Sequence, residues 1–208
     1  KKLLRPAMCA FMLQIPVIVN AEAVDSSNNV TSAVETPVAT PTPALLDGIV
    51  KKGSRTYFYK NGVMQKNCWS PDKKQYFGKN CFAYDAPEVS GCKKNIVVKK
   101  IGKKYYGFDR NGFKVKKGVY ADAKGTPYYF DKKGVRVAKK SNQLKAASKY
   151  MADGAVLRKL LGRPSKTKTL SSCMTGISKD LKLTYANIFV QLGKKITGGE
   201  IVYGVQAR

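Results

Sequence analysis

Apolar and polar positions alternate through the middle of the chain, and turns containing glycine interrupt the alternation at short intervals. An aromatic cluster leads into each turn, and a short alternating run follows it. Alternation with a period of two around Asn-Gly or Asp-x-x-Gly predicts a strand, a tight turn and a second strand. The pattern recurs in four imperfect copies, at residues 57–62, 76–81, 105–112 and 128–134. A lone hairpin is marginally stable, so we expect the copies to stack and bury one aromatic face.

The hydrophobic period changes after Ala138. The spacing predicts a helix capped by Ser141 and a second helix that is capped by Asp153 and ends at Gly162. Strand-like runs separated by glycine follow at residues 170–174, 183–192 and 200–205. The predicted fold class is therefore a mainly β hairpin-repeat module followed by a small α+β domain, in which two helices precede an antiparallel sheet.

The N-terminal residues have the pattern of a secretory signal. A basic start, an apolar run over residues 7–19 and the small-residue triplet Ala21-Glu22-Ala23 follow one another. The run is shorter than the ~20 residues that a membrane span needs, and Pro16 interrupts it. We therefore expect cleavage after Ala23, secretion, and no membrane span in the mature chain.

Thr-Pro pairs without an apolar period occupy the next stretch, as is typical of a disordered linker. The expected organisation has four parts. These are a signal peptide at 1–23, a linker at 24–50, the hairpin repeats at 51–140 and the small α+β domain at 141–208.

Charge narrows the class of partner. From Lys51 onward the chain has 36 basic and 9 acidic side chains, a net charge of +27. Such a surface concentrates polyanions, which makes nucleic acid, teichoic-acid-like polymers and anionic lipid candidate partners. Lysine outnumbers arginine by 30 to 6 over this stretch, and arginine is the preferred reader of bases. Nucleic acid is thus the disfavoured partner.

The composition argues against an enzyme. Histidine is absent, which removes the commonest general base and a common zinc ligand. Asp109 and Asp131 are accounted for by turns, so we expect no catalytic carboxylate pair. No C-x-x-C spacing occurs, and we predict neither a metal site nor a cofactor.

Four cysteines remain once Cys9 leaves with the signal. In an oxidising compartment they are predicted to form disulfides, and three pairings are possible. Short spacing favours a bond within the repeats, between Cys68 and Cys81 or between Cys81 and Cys92. Cys173 would then attach the C-terminal domain to the repeats.

The hairpins resemble the choline-binding and glucan-binding repeats of Gram-positive surface proteins. The shared pattern is aromatic-aromatic-Phe-Asp-x-x-Gly followed by a short apolar strand, matched best at residues 128–134 and 108–112. The resemblance covers about residues 51–140. In that family, rings from adjacent hairpins form boxes for choline or platforms for sugar rings, which implies a ligand-binding role for aromatic residues here.

One departure from the family pattern selects the ligand class. Choline boxes use repeated tryptophans, whereas Trp69 is the single tryptophan of this chain. The lysine surplus also disfavours a cationic ligand. An anionic, phosphate-bearing wall polymer or a neutral glycan is the expected ligand. The candidate ligand-binding residues, expected to be exposed, are Tyr59, Trp69, Tyr106 and Tyr129; the alternative for each ring is hydrophobic packing between hairpins.

The last sixty-odd residues resemble the two-helix-plus-sheet fold of β-lactamase-inhibitor-like and SmpA-like domains. The resemblance lies in residues 156–164, 183–185 and 200–202. It implies a protein-binding role, and a capping or spacer role is the alternative. The sequence thus predicts a secreted, non-catalytic protein that binds a cell-wall polymer and stays at the cell surface non-covalently; the alternative is a secreted protein-binding or inhibitory factor.

Overall fold

Antiparallel hairpins follow one another through the first half of the fold. A computed structural model describes residues 45–208, so the expected signal at 1–23 and most of the expected linker lie outside the described residues. The first strand begins at Gly48, inside the stretch 24–50 that was expected to be linker. Its residues Ile49 and Val50 pair with Phe58 and Tyr57 of the next strand.

Nine strands build the hairpins. Strands β1 (Gly48–Lys52), β2 (Arg55–Lys60) and β3 (Val63–Met64) form a three-stranded sheet. Three two-stranded hairpins follow: β4 (Cys68–Trp69) with β5 (Tyr76–Phe77), β6 (Val97–Ile101) with β7 (Lys104–Phe108), and β8 (Gly118–Ala121) with β9 (Pro127–Phe130).

Three turns are built in the same way around Asp109, Asp122 and Asp131. In each turn the carboxylate Oδ1 accepts hydrogen bonds of 2.8–2.9 Å from the backbone N–H groups two and four residues later. The glycine three residues after the aspartate has a φ of 76° to 81°, which glycine adopts without strain. The turn at Asp122 is an additional copy that the sequence analysis missed. All three carboxylates are thus hydrogen-bonded to their own turns.

The stacking of hairpins buries one ring from each of three copies. Phe77, Phe108 and Phe130 are 0% exposed. Close approach is possible because β7 carries a glycine: a Cβ on Gly107 would lie 2.6 Å from Phe130 Cζ and 2.8 Å from Val115 Cγ2. The structure confirms the predicted burial of one aromatic face.

Two helices follow the hairpins. Helix α2 (Gly154–Leu161) is capped as predicted, because the Asp153 side chain accepts a hydrogen bond from the Ala155 N–H. Helix α1 (Ala138–Ala147) begins earlier than predicted, at an N-cap Val137 without side-chain capping. The prediction that Ser141 caps it is wrong: Ser141 is buried inside the helix, and its hydroxyl accepts a hydrogen bond from the Tyr129 N–H of β9.

A four-stranded antiparallel sheet completes the fold, in the order β10 (Lys166–Leu170), β11 (Ile177–Thr184), β12 (Ile188–Lys195) and β13 (Glu200–Ala207). Two expected strand positions differ. The first strand lies before residues 170–174, and the run at 183–192 is two strands joined by a turn in which the Tyr185 N–H bonds the Ile188 carbonyl. The predicted fold class, β hairpins followed by two helices and an antiparallel sheet, is confirmed.

The hairpins and the C-terminal elements share a hydrophobic core. Cys92 and Ala121 from the hairpin region pack in one buried cluster with Leu144 of α1, Leu157 of α2 and Leu183 of β11. Packing is therefore continuous across residue 140. The boundary expected between residues 140 and 141 stays a prediction from the sequence. Within residues 45–208 there is no helix of the length and apolarity that crossing a membrane requires.

Candidate functional site

Four half-buried aromatic rings lie in a continuous series across two neighbouring hairpins. We call Tyr106, Trp69, Tyr76 and Tyr84, in that spatial order, the aromatic row. Successive ring centroids are 5.1, 5.2 and 5.5 Å apart. Within the row, both contacts of Trp69 are edge-to-face, and Tyr76 and Tyr84 are stacked at 24°. Both geometries are favoured between aromatic rings.

Local structure explains how the row assembles. Trp69 and Tyr76 are paired across the β4–β5 hairpin, which places their side chains on the same face. Tyr84 follows this hairpin, and its N–H donates to the Tyr76 carbonyl at 3.0 Å. A Cβ on Gly78 would lie 2.6 Å from Tyr84 Cε1, so the absence of a side chain at Gly78 makes room for the Tyr84 ring.

A lysine ammonium lies over each end of the aromatic row. The Lys114 Nζ is 4.7 Å from the centroid of the Trp69 ring and 5.7 Å from that of Tyr106. At the other end, the Lys99 Nζ is 5.4 Å from the centroid of Tyr84. These are cation–π distances. No carboxylate of residues 45–208 lies within 4.0 Å of either ammonium.

Burial changes the ionisation of groups in the row. Desolvation is the main cause that lowers the pKa of Lys114, and the charge of Lys116 lowers it further. Desolvation raises the pKa of the Tyr76 phenol, and Tyr84 adds to that effect. Tyr76 therefore keeps a neutral hydroxyl that can donate a hydrogen bond.

A cleft of about 350 Å³ opens beside the Tyr84 end of the row. Phe82, Tyr84, Lys99 and the exposed carboxylate of Asp85 line it, together with the backbone of Gly78. The row and the cleft thus combine apolar ring surface, phenol hydroxyls and two ammonium groups that have no carboxylate of residues 45–208 within 4.0 Å. This combination suits polymers that carry sugar rings and negative charge, because rings stack on aromatic surface while phosphate or carboxylate groups attract lysine.

The carboxylates of the three hairpin turns already accept hydrogen bonds. Asp109, Asp122 and Asp131 are engaged by their own turns. Among residues 45–208 no group of three Asp, Glu or Cys side chains could hold a metal ion.

The structure brings two of the four predicted ligand-binding residues together, Trp69 and Tyr106. The expectation that Tyr59 is exposed is wrong, because this residue is 6% exposed. It lies in the central strand β2, opposite Gly48 and Met64, and its hydroxyl accepts a hydrogen bond from the Lys52 Nζ at 2.8 Å.

Tyr129 is half-buried in a different environment, where the Lys140 Nζ lies 4.5 Å from its ring centroid. Among the described residues its ring forms no pair with the aromatic row. Four members of the site were not predicted from the sequence: Tyr76, Tyr84, Lys99 and Lys114. Tyr76 belongs to the degenerate second copy, which was a usable signal; Tyr84 lies in a segment without a strand pattern.

The predicted disulfides are not present: Cys68, Cys81, Cys92 and Cys173 are all free thiols. Cys92 is buried in the shared core, where its Sγ accepts a hydrogen bond from Gln206 Nε2. Cys173 is exposed in the segment between β10 and β11. The pKa of Cys68 is raised mainly by burial and further by the charge of Cys81.

Comparison with known proteins finds no protein-family model and no curated protein that matches the chain. Among solved structures, an alternansucrase in complex with isomaltotriose aligns at a TM-score of 0.35 and 17% identity, over 74% of this chain and 10% of that chain. An alternansucrase in complex with isomaltononaose aligns at a TM-score of 0.23 and 16% identity, over 76% of this chain and 15% of that chain. The chain thus spans a small part of those chains, and at these TM-scores the likeness carries no argument about function.

Proposed function

We propose that this chain is a secreted, non-catalytic protein that binds a cell-wall polymer, teichoic-acid-like or glycan, through its aromatic, lysine-rich hairpins. The observation that carries the proposal is the aromatic row with Lys114 and Lys99 over its two ends. Secretion rests on the signal-like pattern of the N-terminal residues.

The charge of the hairpins supports an anionic polymer as the ligand. The aspartates of the three turns are hydrogen-bonded to backbone N–H groups. Lys99 and Lys114 have no carboxylate within 4.0 Å among residues 45–208. Asp131 and Asp72 act on Lys114 only from beyond 4.0 Å, so phosphate or carboxylate groups along a polymer could contact both ammonium groups directly.

The rings support a polymer that contains sugars. The row offers ring surface over a series of spacings of 5.1–5.5 Å, which allows several units of a chain to be contacted at once. Contacts with successive units add through effective concentration, so modest individual contacts give useful total affinity.

A wall-sedimentation assay with the full chain tests the proposal. Purified walls are used before and after removal of teichoic acid, and the Lys99→Gln/Lys114→Gln variant is compared with Lys124→Gln/Lys132→Gln, which removes the same charge from exposed turns. We expect the first variant to lose several-fold more affinity than the second. Equal losses would show that the attraction depends only on total charge.

A second comparison isolates the rings. Tyr106→Ala removes a member of the row, and Tyr150→Ala removes an exposed tyrosine outside it. We expect Tyr106→Ala to cost about 1 kcal/mol of binding, several-fold in affinity, with part of the binding retained at 1 M salt, where the Debye length is about 3 Å. If Tyr106→Ala binds like the unmodified protein, the row is not the binding surface.

A second candidate function is a secreted protein-binding or inhibitory factor that acts through the C-terminal elements. One observation favours it: Tyr150, Met151 and Val156 are 65%, 52% and 50% exposed around the start of α2. Exposed apolar side chains of this size are enriched at protein interfaces. This function would be supported if the Lys99→Gln/Lys114→Gln variant still binds a protein partner and the Val156→Asp variant does not.

A further inference from the structure

A second pocket, separate from the aromatic row, lies where the last hairpin meets the helices and the turn between β11 and β12. Its volume is about 350 Å³. Pockets of this size accommodate small organic molecules. Tyr129 and Val119 come from the hairpin, Leu144 and Leu161 from the two helices, and Ile188 from the start of β12.

Gln143 and two lysines contribute polar surface to the pocket, whereas two other polar residues of its lining have hydrogen-bond partners of their own. Tyr185 lines it, but its hydroxyl already donates to the Gly162 carbonyl at 3.2 Å, and burial raises the pKa of this phenol. Asn187 Nδ2 likewise donates to the Val119 carbonyl at 3.3 Å. Ring and aliphatic surface therefore remain to contact a ligand.

Two lysines give the pocket its charge. Lys117 and Lys140 line it, and both are exposed. No carboxylate of residues 45–208 lies within 4.0 Å of either. The backbone of Lys117 is held at the pocket, because its N–H donates to the Asp131 carbonyl at 2.7 Å, and the Lys140 Nζ lies 4.5 Å from the centroid of the Tyr129 ring.

We propose that this pocket binds a small amphipathic organic anion. The ligand's apolar body, a ring or a short acyl chain, fills the space between Val119, Leu144 and Ile188. Its carboxylate or phosphate faces the Lys117 and Lys140 ammonium groups. A pocket with apolar walls and two lining lysines that have no described carboxylate within 4.0 Å is complementary to a molecule with both an apolar body and a negative charge.

Binding of octanoate to the full chain, measured by titration calorimetry, tests the inference. Octanol supplies the same chain without the charge, inorganic phosphate supplies charge without the chain, and octyl phosphate carries both. We expect octanoate and octyl phosphate to bind and to displace each other, at least about tenfold more tightly than octanol or inorganic phosphate. Equal binding of octanol, or displacement of octanoate by inorganic phosphate alone, would overturn the assignment.

Variants locate the site. Lys117→Gln/Lys140→Gln should weaken octanoate about tenfold and leave octanol unchanged, whereas Lys139→Gln, on the same helix but outside the pocket, should bind normally. Gln143→Trp places a bulky ring at a lining position and should block binding, whereas Asn142→Trp next to it should not. Melting curves of each variant verify folding. Equal effects of Gln143→Trp and Asn142→Trp, or no effect of either, would place octanoate elsewhere and refute the proposal.

Discussion

Gly125, in the turn that Asp122 opens, lies directly against the carbonyl oxygen of Val205 in β13, and no space remains between them for a methyl group. The contact joins the last hairpin to the final strand of the C-terminal sheet. Gly125 also has a φ of +81°, a conformation that side-chain-bearing residues rarely adopt.

Replacing Gly125 by alanine should therefore destabilise the protein strongly. We expect a loss on the order of 2 kcal/mol or more in the free energy of unfolding, from steric overlap added to backbone strain. Gly102→Ala is the matched control, because Gly102 has a φ of +58° and open space around it. Urea denaturation measures both; similar losses would show that the contact with Val205 adds nothing.

The aspartate turns should depend on their carboxylates. Asp131→Ala removes the acceptor of hydrogen bonds from the Lys133 and Val135 N–H groups and should cost about 2 kcal/mol. Asp131→Asn keeps an acceptor oxygen and should recover part of the loss. Lys132→Ala, within the same turn, should stay within about 0.5 kcal/mol of the unmodified protein. Thermal unfolding compares the three variants, and an Asp131→Ala protein as stable as Lys132→Ala would contradict this account.

Stability should fall at alkaline pH, in part through Tyr185. Burial, the main cause, raises the pKa of this phenol in the folded protein, while nearby Arg158 partly opposes the rise. The contribution of the neutral Tyr185 phenol to the free energy of unfolding is complete below the pKa of about 10 that it has in the unfolded chain. This contribution is lost as the pH rises through the higher pKa of the folded protein. Tyr185→Phe should cost about 1 kcal/mol at pH 7, through the lost hydrogen bond to Gly162, and should show a shallower decline above pH 10. Unfolding curves between pH 7 and 11 test this; a parallel decline in both proteins would be contrary to it.

Three of the four described thiols should react in an order set by their surroundings. In reduced protein at pH 8, Cys173 should react first because it is exposed. Cys68 should follow slowly, since its raised pKa reduces the thiolate fraction, and Cys92 should react only on unfolding. Mass spectrometry after timed alkylation with iodoacetamide reports the order. Early labelling of Cys92 in folded protein would show that the shared core opens more readily than its burial implies.

Local signals explain what the sequence revealed. The period of two and the Asp-x-x-Gly turns determine the hairpins, because each turn is closed by hydrogen bonds within five residues. The same holds for α2, which begins at its capping Asp153. Ser141 was mispredicted because a hydroxyl near a helix start is a local capping signal. In the structure its hydroxyl donates to the Val137 carbonyl one turn earlier and accepts from the Tyr129 N–H, which tertiary packing supplies.

The aromatic row could not be read from the sequence because it depends on which hairpins are neighbours. Tyr106 meets Trp69 only through the stacking of β7 against the β4–β5 hairpin. Tyr59 occupies the same place in its copy as other tyrosines do in theirs, yet a strand on each side of β2 buries it. The exposure of each ring is set by these long-range arrangements, which the repeat pattern does not predict.

The core shared across residue 140 limits how this fold can change over evolution. A repeat array grows or shrinks by whole units, because each unit contacts only its neighbours and every junction is equivalent. Here the last hairpin is covered by α1 and contacts β13. Inserting another copy after it would therefore disrupt the hydrophobic core that the hairpin shares with these elements. We therefore expect hairpins to be gained or lost at the N-terminal end of the series. The helices and their sheet cap its C-terminal end.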